Sequence, residues 1–98
     1  TALQAMKPEA CIISTARGGL IDEEALLETL QSGQLAGAAL DVFTTEPPRD
    51  TELINHPNVI TTPHIAGQTV EAQRRVALDI AKEVLAALEG KPLRWAIL

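Results

Sequence analysis

The apolar run Cys11-Ile12-Ile13 breaks off into Ser14-Thr15-Ala16-Arg17-Gly18-Gly19-Leu20-Ile21-Asp22, and a one-faced helical pattern begins at Glu23. A short β-branched run bounded by polar and glycine residues reads as a buried parallel strand. Arg17 then stands at the carboxyl end of that strand, and in open α/β sheets ligands bind in the crevice beyond such ends. Gly18-Gly19 lets the backbone turn tightly and approach a ligand closely. Asp22 is placed to cap the helix by accepting from its free backbone N–H groups.

The remaining segments repeat this alternation. Ala2-Leu3-Gln4-Ala5-Met6 reads as the last turns of a helix ended by Pro8, so the chain is expected to begin inside an element, as a fragment does. Glu23 to Ser32 carries Ala25, Leu26, Leu27 and Leu30 on one face, with Gly33 placed to end it. A second strand is expected over Ala36 to Phe43, its Gly37-Ala38-Ala39 start small enough for a helix to pack closely. Thr44 to Pro57 reads as a polar loop containing Glu46-Pro47-Pro48, and Asn58 to Thr61 as a third short strand. Thr69 is expected to N-cap a last helix over Val70 to Glu89. Its core stripe comprises Ala77, Ile80, Ala81, Val84, Leu85 and Leu88, and Gly90 and Pro92 stop it. The tail, Pro92-Leu93-Arg94-Trp95-Ala96-Ile97-Leu98, is apolar and needs another surface. This order predicts an α/β fold: half of a doubly wound parallel, Rossmann-type sheet of three short strands with helices. Residues 1–90 form the half-domain and 91–98 a tail.

Composition narrows the function classes. Apolar residues make up 46% of 98 residues, but the only aromatics are Phe43 and Trp95, so the core must be aliphatic. A net charge of −5, with basic residues scattered singly apart from Arg74-Arg75, argues against nucleic-acid phosphates and anionic membranes as partners. No signal peptide or long apolar span occurs, and the single Cys11 cannot form an internal disulfide. A cytoplasmic protein is expected, with Cys11 a buried apolar side chain and His56 a turn residue. No metal site is expected.

Three ligand-type polar groups leave strand ends: Arg17 after the first, Glu46 shortly after the second, and His64, within Thr62-Pro63-His64-Ile65-Ala66-Gly67, after the third. Asp41 interrupts the second run near the same sheet edge, where a buried carboxylate needs partners. A histidine gives or takes a proton near neutral pH, a carboxylate orients it, and an arginine holds a carboxylate substrate bidentately.

The blocks Thr15-Ala16-Arg17-Gly18-Gly19-Leu20-Ile21-Asp22-Glu23, Gly37-Ala38-Ala39-Leu40-Asp41-Val42-Phe43, Thr45-Glu46-Pro47-Pro48 and Thr62-Pro63-His64 resemble, in order and spacing, the signatures of the D-isomer-specific 2-hydroxyacid dehydrogenases. The resemblance implies that His64 exchanges the proton of the substrate hydroxyl while hydride passes to NAD, that Glu46 hydrogen-bonds His64, and that Arg17 binds the substrate's carboxylate and carbonyl oxygen. It implies cofactor contacts from Asp41, the Thr15-Ala16-Arg17 segment and His64-Ile65-Ala66-Gly67. Leu30 to Gln34, Phe43 to Asp50 and Glu71-Ala72-Gln73 resemble the members that act on 3-phosphoglycerate. The partners so implied are a small 2-hydroxy or 2-oxo acid and, in the full-length protein, a second copy in a homodimer. Ser14 departs from the asparagine of many relatives.

The family's glycine-rich pyrophosphate loop and the acidic ribose-binding residue that follows it are both missing, and no G-x-G occurs in the chain. The segment therefore corresponds to the nicotinamide-side half of the cofactor domain and is expected to be inactive by itself. Two other classes of function are a binding protein on the same scaffold, as in the C-terminal-binding transcriptional corepressors, and a small dimerising module whose open sheet edge self-associates.

Overall fold

The computed structural model describes residues 1–97. The order of elements is β1 (Ala10–Ser14), α1 (Glu23–Gln31), β2 (Leu35–Leu40), β3 (Val59–Thr61) and α2 (Val70–Leu88). The chain divides into two compact units, Thr1–Ala66 and Gly67–Leu98.

The first unit is a three-stranded, all-parallel sheet in the order β1-β2-β3. Its aliphatic core forms where α1 lies on β2. Leu26 and Leu30 of the helix meet Leu35, Ala38 and Leu40 of the strand, and Phe43 and Leu53 from the following loop close over them. Asp22 caps α1 as expected, one carboxylate oxygen accepting from Glu24 N at 3.0 Å and Ala25 N at 3.1 Å.

Register is what matters for the site. Ser14 pairs with Leu40 and Leu40 with Thr61, so the three strands stop on one row. One further rung lies beyond it: Asp41 N donates to Ser14 O at 2.9 Å and Thr62 N to Leu40 O at 3.0 Å. Residues 41 and 62 therefore leave the sheet side by side.

Four expectations need correction. The segment around Ala2-Met6 is a set of turns, closed by bonds such as Met6 N to Leu3 O, rather than a helix end. β2 runs from Leu35 to Leu40 instead of from Ala36 to Phe43, because after the Asp41 N–Ser14 O rung the backbone leaves the sheet and Phe43 N donates to the Glu46 carboxylate. β1 is not buried on both faces: Cys11 is exposed and Ile13 is 75% exposed, since within this unit α1 covers only one face of the sheet. His56 does act in a turn, its Nδ1 accepting from Asn58 N at 3.1 Å just before β3.

The second unit is α2 and its tail. Thr69 caps the helix through Ala72 N at 3.0 Å, as its position predicts. The fourth correction concerns the apolar stripe. No residue of α2 is buried, and Ile80, Val84, Leu85 and Leu88 are all exposed. A single helix and a short tail offer no second surface to pack on it. The tail turns back on the helix, Arg94 N and Trp95 N both donating to the Glu83 carboxylate at 3.1 Å, with the Arg94 guanidinium over the Trp95 ring. Leu98, the last residue of that tail, lies outside the described residues. No helix among the described residues is long and apolar enough to cross a membrane.

Candidate functional site

The loops that leave the strand ends bring two of the three acid–base candidates together. His64 Nδ1 lies 2.6 Å from Glu46 Oε2, and the other Glu46 oxygen accepts from Phe43 N at 3.1 Å. Both carboxylate oxygens are thus committed, one fixing the side chain to its own loop and the other fixing the imidazole. The bond from His64, reinforced by the Phe43 amide, holds the Glu46 carboxyl below its ordinary range. With Nδ1 engaged, Nε2 is the ring nitrogen left to face a reacting hydroxyl.

Asp41, the first residue past β2, is 3% exposed. Its Oδ1 accepts from the Thr62 hydroxyl at 2.6 Å and from Ile65 N at 2.8 Å, and its Oδ2 accepts from Ala66 N at 3.0 Å. The Thr62 bond is the main cause that keeps the Asp41 carboxyl below the usual carboxylate range, with burial working against it and the two amides adding to it. These donors flank His64, whose own backbone is left-handed at φ 58°. Such a conformation costs an L-residue about 1–2 kcal/mol and must be held by its surroundings.

Arg17 is not brought to the pair. It is exposed, and its guanidinium Nη1 donates to the neighbouring Ala16 carbonyl at 2.7 Å. The glycine after it has a definite role. A Cβ on Gly18 would stand 1.9 Å from the Phe43 carbonyl oxygen, so the turn after β1 and the loop after β2 touch backbone to backbone. The close approach expected toward a ligand is made, in this structure, to the loop that carries Glu46. Glu23 adds a second tie, accepting from Thr44 N at 3.3 Å.

A hollow lined by Asp41, Phe43, Glu46, Pro47, Pro63 and His64 opens beside the pair. The free acceptor position suits the NH2 group of a carboxamide, because Asp41 Oδ2 accepts only one bond among the described residues. Of the other residues expected at a cofactor, Thr15 and Ala16 lie in the turn after β1, Ile65 and Ala66 donate to Asp41, and Gly67 opens the second unit. Thr62 is the residue that sequence reasoning passed over. Its signal is positional: it is the first residue past β3, as Asp41 is past β2.

The family described as D-isomer specific 2-hydroxyacid dehydrogenase, NAD binding domain, matches residues 1–66. The chain belongs to this family. It is 55% identical over 86 residues to D-3-phosphoglycerate dehydrogenase of Bacillus subtilis, and equally so to that of Homo sapiens, covering 88% of this chain and 16% of each relative. The chain thus spans about a sixth of the length of these family members. Among solved structures, a glyoxylate reductase from Paecilomyes thermophila superposes with a TM-score of 0.75 at 40% identity, covering 93% of this chain and 28% of that one. A D-isomer specific 2-hydroxyacid dehydrogenase from Xanthobacter autotrophicus Py2, in complex with NADPH and MES, superposes with a TM-score of 0.74 at 36% identity, over 94% and 38% of the two chains.

Proposed function

We propose that this chain is the nicotinamide-side part of an NAD-dependent oxidoreductase acting on the CH–OH group of a D-2-hydroxy acid, with 3-phosphoglycerate the substrate. The observation that carries the reading is the 2.6 Å contact between His64 and Glu46, formed at the carboxyl ends of parallel strands. In this reading residues 1–90 belong to the cofactor domain and 91–98 lead toward a substrate domain, in a cytoplasmic homodimer. The isolated segment is inactive, because it has no pyrophosphate loop to hold the other half of the dinucleotide.

When bound, the nicotinamide supplies the hydride acceptor. His64 Nε2 takes the proton of the substrate hydroxyl in oxidation and returns it in reduction. Glu46 accepts a hydrogen bond from Nδ1–H, fixes the ring, and stabilises the cation formed when Nε2 is protonated. Arg17 exchanges its Ala16 carbonyl for the substrate carboxylate and carbonyl oxygen, a charge-assisted bidentate contact. Asp41 would hold the carboxamide of the bound cofactor, and the backbone of Thr15-Ala16-Arg17 and of His64-Ile65-Ala66-Gly67 would border it.

The experiment is His64→Ala in the full-length protein. Turnover falls by about 10²–10⁴-fold, the usual contribution of a positioned acid–base group, with NADH affinity kept. Wild-type turnover in this variant removes the acid–base assignment.

A further inference from the structure

Three donors from one segment converge on the Asp41 carboxylate: the Thr62 hydroxyl at 2.6 Å, Ile65 N at 2.8 Å and Ala66 N at 3.0 Å. They come from both sides of His64, the one residue of that turn with a left-handed backbone. Besides its hydroxyl bond to Asp41, Thr62 makes two backbone bonds: its N–H continues the ladder to Leu40 O, and its carbonyl accepts from His64 N, both at 3.0 Å. The residue thus grips the end of β2, the buried carboxylate and the amide of the histidine together. Pro63, lying between, fixes φ and removes the one N–H that would otherwise compete for partners.

We propose that Thr62 is a positioning residue for the acid–base step: its hydroxyl, bonded to Asp41, holds the 62–66 turn in the shape that presents the His64 imidazole to Glu46. The proposal rests on the reading of His64 as the proton-transfer group. The alternative for Asp41, a contact to cofactor alone, does not need Thr62, whereas the latch does. A left-handed histidine released from the latch relaxes toward the right-handed or extended regions, which are lower in energy for an L-residue. That relaxation carries the ring away from Glu46. Displacements near 1 Å cost on the order of a hundredfold in rate, so a small relaxation is enough.

The test is a set of variants in the full-length protein, read as kcat and as the NADH dissociation constant measured separately. Thr62→Val keeps the shape and removes the hydroxyl; kcat falls by about ten- to hundredfold, several times more than the NADH constant weakens. Thr62→Ser restores the hydroxyl and returns kcat to within about threefold of wild type. If Thr62→Val fails to fold, Thr62→Cys replaces it with a weaker donor at the same place, and an intermediate kcat is expected. Wild-type kcat in the valine or cysteine variant overturns the proposal. So does equal loss in the serine and valine variants, or a valine variant that loses NADH affinity in proportion to kcat. His64→Ala is run alongside: if it keeps turnover, the acid–base reading itself fails, whereas an inactive His64→Ala beside an unaffected Thr62→Val removes only the role of Thr62.

Discussion

Gly18→Ala tests whether the turn after β1 and the loop after β2 form one rigid support. The added Cβ would lie 1.9 Å from the Phe43 oxygen, 2.3 Å from its carbonyl carbon and 2.7 Å from Thr44 N, all main-chain atoms without rotamers to move. Reaching an ordinary 3.4 Å contact with the oxygen requires 3.4 − 1.9, a separation of 1.5 Å. Inserting a group into packed surroundings of this kind costs about 1–3 kcal/mol. The effect is kinetic as well as structural, because Phe43 N is also the anchor of Glu46 Oε1 and the displacement passes along Glu46 to His64. A shift of this size is expected to lower turnover in the full-length protein by about a hundredfold, with a fall of a few degrees in melting temperature. Gly19→Ala is the control. Nothing lies within 4 Å of a Cβ there, and the site requires only φ +83°, so the substitution costs about 1–2 kcal/mol without pushing on the Phe43 loop. Turnover and melting temperature are measured for both. If Gly18→Ala retains wild-type turnover, or if Gly19→Ala loses as much, the coupling between the two loops is refuted.

Two further outcomes follow from the same geometry. The carboxyl groups of Asp41 and Glu46 are held below the ordinary range of about 4, so the stability they contribute is present above that range and is lost as pH falls beneath it. Acid titration of unfolding should therefore show a slope that Asp41→Asn reduces, and an unchanged slope contradicts the assignment. Leu26 is fully buried between Leu30 and the β2 leucines, and Leu26→Ala is expected to destabilise the unit by about 2–5 kcal/mol in chemical unfolding. A loss below 1 kcal/mol would mean that α1 does not organise the core.

Much of this architecture is legible in the sequence because local chemistry and tertiary packing agree. Asp22 before Glu23 and Thr69 before Val70 are capping signals that need no tertiary knowledge, and both act as caps. The strand ends are legible from polar residues breaking apolar runs, which puts Glu46 and His64 at one sheet edge; that the two bond across 18 residues is what the family resemblance implies. What is hidden depends on partners. Periodicity marks the stripe of α2 and the face of Cys11 and Ile13 as apolar but says nothing about whether a surface lies against them, and neither is buried. The Asp41–Thr62 bond is hidden for a different reason. It depends on strand register, which a sequence specifies only through the fold it produces.

That register has its own safeguard in Pro63. The last rung between β2 and β3 is made by Thr62 N on Leu40 O. A slip of β3 by one residue in one direction would offer position 63 to that carbonyl, and proline has no proton to give. The mispaired sheet would lose a rung at its end and put a pyrrolidine ring where the hydroxyl should meet Asp41. An error in strand alignment is thus rejected at the sheet edge where the histidine must later work, and one imino acid proofreads assembly for the whole loop.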